Sequence, residues 1–412
     1  MNHVLRSLSP WRALCALAAA TALVTGCGGG ADSGVGTGGT GSPQSFSQGP
    51  ISGFGSIIVN GVHFDDSGAS VVDDDGNALS HSQDLRLGTV VDVEGGAVVD
   101  DAATASTIHV HVDLIGPVTA AYDATNGRLA VLGQPVRVVS TTALDGFAGG
   151  AAAIAVGSKV KVSSLVDTAT GVYVATRIDP ATAPAYFAIR GTPSAIDAAA
   201  GTFTIGGVVF AYGNVAPPAQ FAVGQLLRAV LATTPDSHGR WVVTAFGQAQ
   251  AALPDGRKGG VDGVVSSATD ATHFVVNGVA VDASKATITP AGAAIGVQSR
   301  VVVIGSASRG TLVASAVFVR AAHDNDDDHP GPPGGGDNGN GNDAIELDGT
   351  IMALDAVHQT LTMRGPTIVN YAAATFAGGK ATDLAVGARV EVRGNLSTDG
   401  TQVIASKIKF DH

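Results

Sequence analysis

Charge is scarce in this 412-residue chain: Asp, Glu, Lys and Arg together make up 14%, against about 25% in an average soluble domain. Long coiled coils, which need Glu and Lys at every turn, are thereby excluded. Aromatic residues are few too, at 5%, and the net charge is −12. A protein that grips nucleic acid requires a basic groove with stacking rings, so that class of partner is excluded as well. There are two cysteines, and Cys15 falls in an N-terminal apolar stretch of the kind removed on export. The mature chain is thus expected to hold one thiol, Cys27, and no internal disulfide. No Gly-x-Ser-x-Gly elbow, His-Glu-x-x-His helix, phosphate loop or Cys pair for a metal occurs, so the chain reads as non-enzymatic and without a cofactor signature.

The first thirty residues read as an address. Arg6 and Arg12 form a basic start, Ala13 to Gly26 is an uncharged, mostly apolar run of 14 residues, and Val24-Thr25-Gly26-Cys27 follows. Fourteen residues are short for a membrane span and suit a secretory signal. The tetrad resembles a bacterial lipobox, which implies cleavage before Cys27, lipid attachment to its thiol and an anchor in the cell envelope. Gly28 in place of an Asp after the Cys favours the outer membrane by analogy with bacterial sorting. Residues 27–48 are Gly- and Ser-rich and read as a flexible tether.

The body repeats at a period near 70 residues. A hairpin Gly recurs at Gly61, Gly133, Gly207, Gly278 and Gly365, with Asn60-Gly61 and Asn277-Gly278 the strongest two-residue turn signals. A second Gly, at Gly88, Gly157, Gly224, Gly296 and Gly387, precedes an alternating apolar strand. An Ala-x-x-Ile ending follows at Ala105, Ala175, Ala314 and Ala405, with a degenerate copy near Ala245. The repeats fall at 49–112, 113–180, 186–250, 258–320 and 344–412, with an acidic, Gly- and Asn-rich linker over 321–343.

Each repeat offers short strands, tight turns and no amphipathic helix, and so small a sheet hides its edges by closing on itself. The expected fold is all-β: a tandem array of about five small antiparallel OB-like β-barrels, with two-sheet sandwiches as the alternative. A repeat after the linker is expected to swing freely.

The segments Gly53 to Val62, Leu85 to Gly95 and Val174 to Ile178 resemble a tandem bacterial repeat, the domain-of-unknown-function family numbered fifty-six sixty-six. The resemblance implies an anchored or secreted envelope protein of repeated β domains, and it brings no catalytic residue with it.

Charge is unevenly spread. Residues 49–112 carry ten Asp or Glu and one Arg, a net −9, and the linker carries six Asp, a net −6. Residues 113–320 sum to +3. In the first repeat, Asp65-Asp66 and Asp73-Asp74-Asp75 lie in turns that could offer oxygens to calcium, although Asp also populates turns for its own backbone bonds. His109 and His111 stand two apart on one strand, so both rings are expected on one face, where zinc could be held with His63 or His81. The candidate metal residues are therefore Asp73, Asp75, His109 and His111, for Ca or Zn. The leading expectation is a lipid-anchored scaffold or ligand-presenting module meeting an envelope protein or glycan. A metal-binding surface protein is the second reading, and an enzyme acting on envelope polymers the third.

Overall fold

The computed structural model describes residues 45–167, 170–219, 221–249, 253, 255–320 and 345–411. The signal segment, Cys27, the tether up to residue 44 and the linker 321–343 lie outside the described residues, as does Asp337 to Asp343 with its faint likeness to a calcium loop. The described residues hold thirty strands, two short 3₁₀ turns and no α-helix, as a chain built from period-two segments and glycine turns requires.

The first repeat shows the plan. Its strands are β1 (Ser45–Phe54), β2 (Ile57–Val59), β3 (Val62–Asp65), β4 (Ser70–Asp73), β5 (Val90–Gly95) and β6 (Ala102–His111). β1 pairs antiparallel with β2 and with β5, β2 with β3, and β5 with β6, while β3 runs parallel to β6. The ring is closed, in the order expected of an OB-like barrel, and β4 lies along β6. β1 starts at Ser45, inside the stretch read as tether, because Ser45 to Gln48 pair with Gly95 to Asp92. The other four repeats form the same ring; in the third and fifth the first strand is broken, into Phe187–Gly191 with Ala195–Asp197 and Ile345–Thr350 with Ala353–Asp355.

Three local rules recur around the rings. The hairpin glycines all take positive φ, from 70° to 80°, and in the first four hairpins the preceding Asn60, Leu132, Gly206 and Asn277 do so too, as a two-residue turn of the mirror-image type demands. The asparagines also reach back to the first strand: Asn60 Nδ2 donates to Gln48 O at 2.9 Å and Asn277 Nδ2 to Asp262 O at 2.7 Å. The turn before the fourth strand of the ring donates from Gly88, Gly157, Gly224, Gln298 and Gly387 to the first strand. In the fourth repeat the left-handed residue is therefore Gln298, at φ 75°, and not Gly296. This corrects the expected landmark, which sat two residues too early.

The third rule explains the Ala-x-x-Ile ending. A β-bulge sits opposite it in every ring, at Glu94/Gly95, Ser163/Ser164, Val230/Leu231, Ile304/Gly305 and Arg393/Gly394. The skipped residue is always a hydroxyl residue, and its Oγ donates to the opposing carbonyl: Ser106 to Glu94 O, Thr176 to Ser163 O, Thr244 to Val230 O, Ser315 to Ile304 O and Ser406 to Arg393 O, at 2.9 to 3.3 Å. The bulge leaves one carbonyl out of the ladder, and the side chain satisfies it. In the third repeat the ending is Val243 to Phe246, with Val243 in the place of the alanine.

The barrels are packed together. β1 runs parallel to Lys258–Ala268 through residues 45–48 and 258–261, and parallel to Ile345–Thr350 at Gly53 and Phe54. Leu114 and Ile115 pair with Ile189 and Ala188, joining the second and third barrels. The first and fifth barrels share one core, the second and third share another, and Phe46 of β1 enters the core of the fourth. Glycine permits these approaches: a Cβ on Gly259 would stand 1.9 Å from Phe46 O, and one on Gly53 2.2 Å from Glu346 O. The fifth barrel is thus docked on the first, which corrects the expectation that it swings.

Candidate functional site

The acidic first barrel meets an arginine at each of its four junctions. At the third barrel, Arg228 holds Asp75 with both terminal nitrogens, at 2.6 and 3.0 Å, and Arg190 bonds Asp74. At the fourth, Arg257 Nη1 donates to Glu94 Oε2 at 2.8 Å. At the fifth, Arg364 grips Asp66, donates to His81 O and lies 5.6 Å from the centre of the Phe54 ring. At the second, Arg177, 1% exposed, donates to Leu87 O at 3.0 Å and to Asp145 and Asp179, which also bind Arg86 of the first barrel. A Cβ on Gly88 would lie 2.2 Å from Thr176 O. The two segments Leu85 to Gly95 and Val174 to Ile178 therefore touch each other across this junction.

The cluster between the first, second and third barrels is the most deeply buried. His111 ends β6 with both ring nitrogens against carboxylates: Nδ1 lies 2.7 Å from Asp74 Oδ1, and Nε2 lies 2.9 Å from Asp92 Oδ2. Asp74 Oδ2 also accepts from Val112 N at 3.2 Å. Asp113 Oδ2 accepts from the backbone and the hydroxyl of Ser164, the bulge residue of the second barrel, at 2.9 and 2.7 Å. Tyr173 donates to Arg190 O at 2.7 Å and Tyr186 to Asp75 Oδ2 at 2.6 Å.

Burial opposes the charged form of His111 and Arg190 repels it, but Asp92 and Asp74 outweigh both and raise the imidazole to about 9. Asp92 and Asp74 feel the same burial penalty, and their cationic partners still hold them below the usual carboxylate range. Burial pushes Asp113 up, ahead of the opposing pull of Arg190 and Ser164.

The sequence-nominated metal residues do not converge. Asp73 closes its own turn, accepting from Asp75 N at 2.9 Å and Asn77 N at 2.8 Å. Asp75 serves Arg228 and Tyr186, His111 is clamped between aspartates, and His109 is half-buried beside it on β6. Among the described residues no group of three His, Cys, Asp or Glu has the arrangement of a metal site. Asp92, Asp113, Arg190 and Arg228 were missed by the sequence reading, and Asp74 was read there as one of three turn carboxylates for calcium. The available signal was an arginine inside an otherwise buried apolar strand, as in Phe187-Ala188-Ile189-Arg190-Gly191 and Leu227-Arg228-Ala229; a cation in such a place is normally paired.

Above this cluster opens a cleft of about 900 Å³ bounded by the first four barrels. His111, Asp113, Arg190, Gln48 and Ser164 line its base, and Phe221, Gln225, Ser267 and Asn277 stand around it.

The repeats seen in the structure match the family model Domain of unknown function (DUF5666) at residues 48–109, 115–179, 262–317 and 348–409, more than half of the chain. The chain belongs to the DUF5666 family. The four matched DUF5666 segments are the first, second, fourth and fifth barrels; the third closes in the same way, with a broken first strand and Val243 in place of the alanine of the ending. No curated protein matches the sequence.

Proposed function

We propose that this DUF5666 protein is a non-enzymatic, lipid-anchored protein of the cell envelope, held in the outer membrane through Cys27, whose five barrels form one rigid body that presents a recognition surface. The observation that carries the reading is the use made of charge. Asp66, Asp74, Asp75 and Glu94 of the first barrel are each engaged by an arginine of a neighbouring barrel, so this charge is committed to fixing the barrels in place. Two acyl chains or more on one residue make an anchor durable, at about 0.8 kcal/mol per buried methylene, and a rigid body on a tether suits presentation to a partner.

Fractionation tests the anchor. The native protein is expected in the outer-membrane fraction and labelled by a fatty-acid probe, and Cys27→Ser is expected in the soluble fraction without label. A Cys27→Ser protein that stays in the membrane fraction would contradict the anchored reading.

A further inference from the structure

The cleft has a chemistry of its own. Asp113, His111 and Arg190 stand on its lining, and behind them Asp74, Asp75 and Asp92 pair with His111, Arg190 and Arg228, so each of these charges has an opposite charge beside it and the floor asks for no ionic ligand. Three buried polar atoms on lining residues have no hydrogen-bond partner of good geometry: the acceptor Gln48 Oε1, the donor Arg190 Nε, 3.6 Å from Asp113 Oδ1, and His111 Nε2, which faces Asp92 Oδ2 as an ion pair at 2.9 Å. Arg190 is 6% exposed and its other nitrogens are spent on Ala249 O and Asp74. Higher on the walls stand amides and hydroxyls: Gln225 and Ser267 are exposed, and Asn277, its Nδ2 spent on Asp262 O, keeps its Oδ1 for a donor. Phe221 contributes an aromatic wall, stiffened by edge and tilted contacts to Phe203, Tyr212 and Phe246.

We infer that this cleft binds a neutral saccharide chain. Each sugar hydroxyl donates once and accepts twice, so a polyol serves the donors and acceptors of the lining, whereas a charged ligand would meet charges that already have partners. The apolar faces of a pyranose suit an aromatic wall such as Phe221. A peptide would also supply amides, and the lining holds Leu226, Leu227, Pro218 and Ala222 beside Val90, Val166 and Val275, so a peptide is the competitor that the titration below sets against the sugars. A volume of about 900 Å³ lies in the range of ordinary ligand sites, about 300 to 1,000 Å³, and accommodates a few sugar units. The inference rests on the reading of the barrels as one docked body, because four of them build the cleft.

The test uses the full lipidated chain in a zwitterionic detergent, since a glycoside detergent would itself be a probe. Malto-, cello-, manno- and chitohexaose are titrated by calorimetry and saturation-transfer NMR, beside a hexameric polyphosphate and a neutral Gly-Ser-rich peptide. The expected result is binding of at least one hexasaccharide at millimolar Kd or tighter, at least tenfold weaker in Ser267→Trp, which fills the cleft from an exposed strand position, and in Gln225→Ala. Val357→Trp, on an 86% exposed residue of the fifth barrel, is expected to bind as the native chain does. Binding of none of the hexasaccharides, binding of the polyphosphate or the peptide alone, or saccharide binding that Ser267→Trp leaves unchanged would each overturn the proposal. Particle size measured on the same samples separates the two readings: a docked chain that ignores every sugar defeats the cleft proposal alone, and an undocked chain defeats both.

Discussion

His111 shows how one residue in this chain can be read in two ways from sequence and in one way from structure. As a histidine two positions from His109 on a strand it suggests a metal ligand, but both of its nitrogens are taken by Asp74 and Asp92. Because Asp74 also pairs with Arg190 and Arg228, the proton of His111 is part of the joint between the first and third barrels. The imidazole rises from 6.5 to about 9 on folding, so its stabilising share is fully present below pH 6.5 and is lost as the pH climbs through 9. The lowered carboxylates Asp74 and Asp92 act at the other end, contributing above pH 3.8 and failing as acid protonates them. The His111→Gln variant is expected to lose about 3 kcal/mol, because it removes the cationic partner of the buried Asp92, while Asp74 keeps Arg190 and Val112 N. Denaturation midpoints at pH 6 and pH 9 check both statements: the native protein should weaken between them and the variant should not. A variant that keeps the native slope would show that another group titrates there.

At the scale of elements, the sequence is most legible where backbone geometry leaves one residue type. Positive φ at the hairpins and before the fourth ring strand selects Gly, so those landmarks stand out at a constant period. The exception, Gln298, hides because a Gly stands two residues before it. The bulges were not legible: their hydroxyl residues, Ser106, Thr176, Thr244, Ser315 and Ser406, are ordinary strand residues until the register shows the carbonyl each one satisfies. Two substitutions in the fifth barrel separate the parts of this device. Ser406→Ala leaves the carbonyl of Arg393 to solvent and should cost about 1 kcal/mol. Gly394→Ala should cost more, since the added Cβ would stand 2.2 Å from Ile404 O and the bulge must open to admit it. Equilibrium unfolding of both variants tests the order, and equal losses would mean the bulge backbone is not under this constraint.

For the whole molecule, the sequence displays the first repeat's acidity and the mild basicity of the next three, but not their connection. The counterparts of Asp66, Asp74 and Asp75 lie 298, 116 and 153 residues away, single arginines without a motif. The turns that suggested calcium instead place carboxylates where neighbouring barrels arrive with cations. Burying such pairs is weak evidence for stability, since desolvation offsets the attraction; their sharper role is to fix which barrel sits where, as each arginine can be satisfied in one junction only. The shared cores and the parallel strands at β1 supply the area. A protein assembled this way reaches its partner as one rigid surface on a tether, with a cleft that no barrel owns alone.

Small-angle X-ray scattering on the secreted form beginning at Gly28 tests this assembly most directly. Four barrels docked on the first should give a radius of gyration of about 21 Å for the folded body, extended slightly by the tether and linker, whereas five beads strung in line would give about 40 Å. A value near the lower figure at both low and physiological salt is the expected result. A value near the upper one would contradict the docked assembly and every property drawn from its junctions.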